Sequence, residues 1–110
     1  MLNEVEVRSI GLSHGKRRIW IDGQQAIRGG FLPGKPYERH VDKIKCQLVL
    51  RLAETTPGTH IVSKKIKNEK VIPVIDINSD DLLKMFENQD MVRVVVQPGR
   101  ITILPLASAN

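Results

Sequence analysis

Apolar and polar residues alternate through much of the chain. In VEVRSI, Val5 and Val7 are separated by charged residues, and in RRIWID Ile19 and Ile21 flank Trp20. A period of two places alternate side chains on opposite faces, so these stretches predict half-buried strands. HIVSKK, with Ile61 and Val62 beside lysines, and IPVIDI, with Val74, Ile75 and Ile77, predict two more. YERHV-DKIK-CQLVLRL and MVRVVV-QPG-RITILPL each read as two strands around a turn, and Gln97-Pro98-Gly99 is a turn by composition. There proline presets φ and glycine accepts a positive one. Only two stretches have helical spacing. DDLLKMF puts Leu82, Leu83 and Phe86 on one face, with Asn78 or Ser79 able to cap it and Asp80-Asp81 in its first turn. QQAIRGGF is shorter, because Gly29 and Gly30 end it, with Gly30 suited to a left-handed cap.

The pattern occurs twice. At an offset of about 55 residues, VEVRSIG (5–11) lies over HIVSKKI (60–66), and RIWIDGQQAIRGGF (18–31) over PVIDINSDDLLKMF (73–86). The hairpin beginning PYERHV likewise lies over that beginning MVRVVV. Each half reads strand, strand, short helix, strand, turn, strand. The expectation is one domain, 1–110, built from internal repeats 1–55 and 56–110. A unit of that size alone would leave an apolar face uncovered, and pairing two units buries it.

Composition narrows the classes. At 110 residues with 41% hydrophobic and 4% aromatic content, the core must be built from Ile, Val and Leu. No apolar run reaches the roughly 18 residues of a membrane span, and MLNEVEVRSI is unlike a signal peptide. Cys46 is the single cysteine, so no internal disulfide is available and a cytoplasmic location is expected. His14, His40 and His60 are too scattered for a zinc site, and no metal or cofactor is expected.

The segment GGFLPGKP has the glycine and lysine spacing of a phosphate-binding loop at Gly29, Gly34 and Lys35. Pro36 stands where Ser or Thr would ligate magnesium, and proline biases Lys35 away from helix. The segment is therefore read as structural, with a turn at Pro33-Gly34. No nucleophile is paired with a base, and Asp80-Asp81 are explained by capping, so no active site is expected.

The net charge of +5 is concentrated in the first half, with ten Lys/Arg against six Asp/Glu in residues 1–55 and seven against six in 56–110. Excess basicity favours an anionic partner. Three basic groups stand out: Lys16-Arg17-Arg18 with Arg28; Lys35, Arg39, Lys43 and Lys45; and Lys64, Lys65, Lys67 with Lys70. The repeat would set the first and third in related positions, near one another across an axis. Two such patches suit the phosphates of a duplex, although lysines also protect sheet edges from pairing. Trp20 should face away from the core, as a stacking platform or a packing contact.

The order strand, short helix, glycine turn, hairpin resembles the AbrB/MazE-type swapped-hairpin domain. Gly23-Gln24, Gly30-Phe31 and Gly34 also match the pattern of the SymE toxin branch. RRIWIDGQ, GGFLPGK, HIVSKK, IPVIDINS and VRVVVQPGRITILPLA together resemble the N-terminal region of DNA cytosine methyltransferases of phages and mobile elements. The resemblance implies two pseudo-symmetric swapped-hairpin repeats closing into one single-chain β-barrel, mainly β with two short helices. It implies a DNA-binding accessory domain that docks on duplex phosphates through Lys16, Arg17, Arg18, Arg28, Lys35, Arg39, Lys64, Lys65 and Lys67. Cys46 follows Lys45, not proline, and no methyl-donor glycine motif is present, so methyltransferase chemistry would lie outside these residues. The alternatives are a SymE-like toxin acting on RNA and a protein-interaction module. A monomer would suffice, and an apolar outer face would allow a homodimer.

Overall fold

The computed structural model describes residues 4–13, 15–54 and 60–106. His14, the junction of the two expected repeats (55–59) and the last four residues (107–110) lie outside the described residues. The chain runs β1 (Glu4–Ser9), β2 (Gly11–Ser13), β3 (Lys16–Asp22), α1 (Gln24–Arg28), β4 (Pro36–Asp42) and β5 (Gln47–Leu52). It continues with β6 (His60–Ile61), β7 (Ser63–Lys67), β8 (Lys70–Ile77), α2 (Asp80–Leu83), a 3-10 turn (Lys84–Phe86), β9 (Met91–Gln97) and β10 (Arg100–Pro105). The fold is mainly β with two short helices, as the periodicity predicts.

The strands form two antiparallel sheets, one in the order β1-β9-β10-β5-β4-β6 and the other β2-β3-β8-β7. Alternation decides what lies between them. Ile19, Ile21, Ile75 and Ile77 of the smaller sheet meet Leu48, Leu50, Val92, Val94, Val96, Ile101 and Ile103 of the larger, with Phe31, Leu83 and Phe86 filling the ends. Each such aliphatic side chain withdrawn from water contributes about 1.5–3 kcal/mol.

The closed barrel expected from the sequence does not form. Among the described residues the larger sheet ends at β1 and β6 and the smaller at β2 and β7. Among the described residues the chain passes between sheets through α1 and α2 and at two tight bends, Ile10 and Val62, where backbone amides donate to Asp90 O and Lys35 O. Strands that switch sheets at such corners leave two packed layers instead of one continuous ladder.

The glycine reading holds in detail. The Gly30 amide donates to Ile27 O and the Phe31 amide to Ala26 O, with Gly30 at φ 83°. That is a Schellman cap, and it drives the Phe31 ring into the core. Three local expectations need correction. Ser79 occupies the N-cap of α2 but its side chain makes no capping bond. Cys46 is not a strand residue; it sits in the β4–β5 turn at φ 53°, exposed. The 55-residue offset lays fully buried Ile21 over half-buried Asp76. In β3 and β8 an offset of 54 keeps Ile21-Asp22 in phase with Ile75-Asp76, because a one-residue slip reverses every face.

Candidate nucleic-acid interface

In β3 the inward Ile19 and Ile21 force Arg18, Trp20 and Asp22 onto the outer face of the smaller sheet. Trp20 lies opposite Asp76 in the β3/β8 register. The Arg18 guanidinium sits 5.2 Å from the Trp20 ring centre and the Lys65 ammonium 5.7 Å, so cations from β3 and β7 bracket one indole. Each cation also holds a carboxylate: Arg18 donates to Asp76 Oδ2 at 2.6 Å, and Lys65 to Asp22 Oδ2. Arg39 reaches in from β4, donating to Tyr37 Oη at 2.9 Å and to Asp76 O at 3.2 Å. Among the described residues Arg39 Nε and Asp76 Oδ1 are buried without a partner.

Burial would raise the Asp22 carboxyl, but hydrogen bonds from Lys65 and Trp20 and the charges of Lys65 and Arg8 hold it below the ordinary range. His60, beside the Tyr37 ring, is pushed down by burial and by the Arg39 charge, so it stays neutral at neutral pH. Among the described residues no group of His, Cys, Asp and Glu could hold a metal ion. No helix among them is long and apolar enough to cross a membrane.

The nine cationic residues singled out from the sequence divide sharply. Arg18, Lys65 and Arg39 converge around Trp20 and Asp76. Lys64 and Lys67 stand exposed on β7, beside Lys70. Arg17 points the other way, with the inward isoleucines, and donates to Phe86 O at 2.9 Å and to Gln89 O. Lys16 lies in a shallow groove beside Asp80, Asp81 and Glu87. Arg28 is exposed on α1 and Lys35 in the turn before β4.

The two basic turns are not neighbours. The β2–β3 turn lies where β8 ends and the β7–β8 turn where β8 begins, separated by that strand's eight residues, about 26 Å. Antiparallel pairing of β3 with β8 imposes this, since each hairpin turn then falls at the opposite end of the sheet.

Sequence reasoning missed Arg8. Arg8 donates to Gln25 Oε1 at 2.9 Å and lies 3.8 Å from Asp22, although β1 belongs to the larger sheet. No local pattern marks it, because β1 reaches this place only by pairing with β9 across the chain. No protein-family model matches the chain, and no curated protein or solved structure is significantly similar to it.

Proposed function

We propose that this chain is a non-enzymatic DNA-binding accessory domain that docks on duplex phosphates with the outer face of its smaller sheet. On that face Arg18 and Lys65, each tied to a carboxylate, and the exposed Lys67 and Lys70 supply the charge and Trp20 the contact surface, while Lys64 alternates to the opposite face of the hairpin. The observation that carries the reading is the indole bracketed by Arg18 and Lys65, on a face continuous with the lysine-rich β7–β8 hairpin. Lys16 and Arg17 leave the interface on this reading, one beside acidic residues and the other committed to backbone carbonyls.

We further infer an internal pseudo-twofold relation of the AbrB/SymE-like kind. Its support is the strand order, which exchanges β1 with β6, β9 with β4 and β10 with β5 when read from either end of the larger sheet. In the smaller sheet the same exchange pairs β2 with β7 and β3 with β8. The outermost strand of each half pairs with the hairpin of the other, the arrangement that swapped hairpins produce. A role as the N-terminal part of a mobile-element DNA cytosine methyltransferase fits such a docking module.

The test uses Trp20, the only tryptophan, as its own reporter. The protein is titrated with random-sequence duplex DNA and with matched RNA at increasing salt while its fluorescence is followed. Four phosphate contacts predict a log–log salt slope of about −3.6 for duplex. RNA preferred over duplex would favour the toxin reading. Absence of binding to either at low salt would sink the proposal and favour a protein-interaction module.

A further inference from the structure

The β7–β8 hairpin outruns the sheet that carries it. β3 pairs only with Val74–Ile77, so beyond Val74 the hairpin continues as a two-stranded ribbon. From Lys64 to Val71 this ribbon carries four lysines and one glutamate, in a chain whose net charge is only +5.

Its tip breaks several local rules at once. Lys67 and Lys70 face each other across the ladder, and like charges directly opposite are destabilising. The connecting residues Asn68 and Glu69 both have positive φ, 52° and 66°. A two-residue hairpin turn of that kind favours Asn-Gly, and Glu is a poor occupant. One step back, Ile66 pairs with Val71, and they are 74% and 55% exposed. The lysines alone could be explained as protection of an edge strand. That explanation leaves an exposed isoleucine among them without a role, and concentrated violations of local preference mark functional places.

We propose that this ribbon enters the major groove of duplex DNA tip first, its two faces toward opposite sides of the groove. Ile66 and Val71 lie against thymine methyl groups beside Lys64, which shares their face, and Lys67 and Lys70, on the Trp20 face, lie on the phosphates of the other side. The inference rests on the DNA-docking reading and adds the contact that senses base identity. A groove about 12 Å wide admits a two-stranded ribbon, whereas the minor groove, about 6 Å wide, does not without deformation. Within the major groove the thymine methyl is the apolar feature on a base edge, which suits paired aliphatic side chains. Charge complementarity chooses a polyanion, and the ribbon's width chooses the groove.

The experiment compares an A·T-rich duplex with the same duplex carrying uracil in place of thymine, which removes only the methyl groups. Full-length wild type is compared with I66T/V71T and with K67Q/K70Q. Threonine keeps the β-branched strand preference, and circular dichroism checks that the variants fold. Wild type should bind the thymine duplex about fourfold more tightly for each methyl contacted. I66T/V71T, which brings in hydroxyls but keeps one methyl at each position, should reduce that discrimination while keeping its salt slope. K67Q/K70Q should keep the discrimination but flatten the slope by about 2. Equal wild-type affinity for both duplexes overturns the inference and leaves phosphate docking standing. Binding to anionic phospholipid vesicles, dependent on Ile66 and Val71 and without a methyl effect on DNA, also overturns it. Failure of wild type to bind any duplex at low salt overturns the docking reading and this inference together.

Discussion

Arg17 and its neighbour Lys16 make the sharpest test of which cations serve the fold and which serve a partner. Arg17→Ala removes a guanidinium that donates to Phe86 O and Gln89 O, carbonyls at and beyond the end of the 3-10 turn that follows α2. Phe86 O also accepts the Gln89 amide at 2.9 Å, so Arg17 is its second donor, and Gln89 O lies in the loop beyond the turn. Hydrogen bonds to a charged group contribute about 1.5–3 kcal/mol. Arg17 is only half-buried and water can replace part of the loss, which sets the expected cost near the low end, about 1.5–2 kcal/mol. For a domain of this size that is a fall in Tm of about 6–10 °C. Arg17→Lys keeps the charge but not the fork, and should recover less than half of the loss. Lys16→Ala should stay within about 0.5 kcal/mol of wild type, as exposed substitutions usually do. Urea denaturation followed by circular dichroism reads the stabilities, and Trp20 fluorescence reads duplex affinity in the same samples. Arg17→Ala with wild-type stability and a large loss of DNA affinity would falsify the assignment.

Gly30→Ala places a side chain at φ 83° and 3.3 Å from Leu52 Cδ1, so it should cost at least about 1–2 kcal/mol in urea denaturation. Glu69→Gly should instead raise the urea midpoint, because it relieves a left-handed glutamate at φ 66°; an unchanged or lower midpoint would contradict the turn assignment. Asp22 supplies a pH test. Its folded carboxyl lies below the ordinary 3.8, so its stabilising effect is complete above that value and disappears as pH falls through the lowered folded pKa. Wild type should therefore lose its advantage over Asp22→Asn only on the acid side of pH 3.8, and a stability difference independent of pH would show that the carboxylate charge plays no part.

Strand positions were legible in the chain because alternation is a local signal. Ile19, Trp20 and Ile21 announce their faces without knowledge of any partner, and the Schellman cap at Gly30 follows from glycine's tolerance of positive φ. The hairpin turn at Pro98-Gly99 is equally local, and Gly99 adopts φ 76°. What alternation cannot contain is the crossing of the two halves. β1 joins β9 and β6 joins β4 because each half must cover the apolar face of the other, and the bends at Ile10 and Val62, together with α1 and α2, then divide the strands into two layers. The fate of each charge follows from that packing. Arg17 and Arg18 are adjacent and chemically alike, yet one faces carbonyls 69 or more residues away and the other a carboxylate 58 residues away. Side-chain parity along a strand is set by backbone geometry and can be read from the sequence, whereas a charge's partner is chosen by distance in the folded molecule and could be assigned only there.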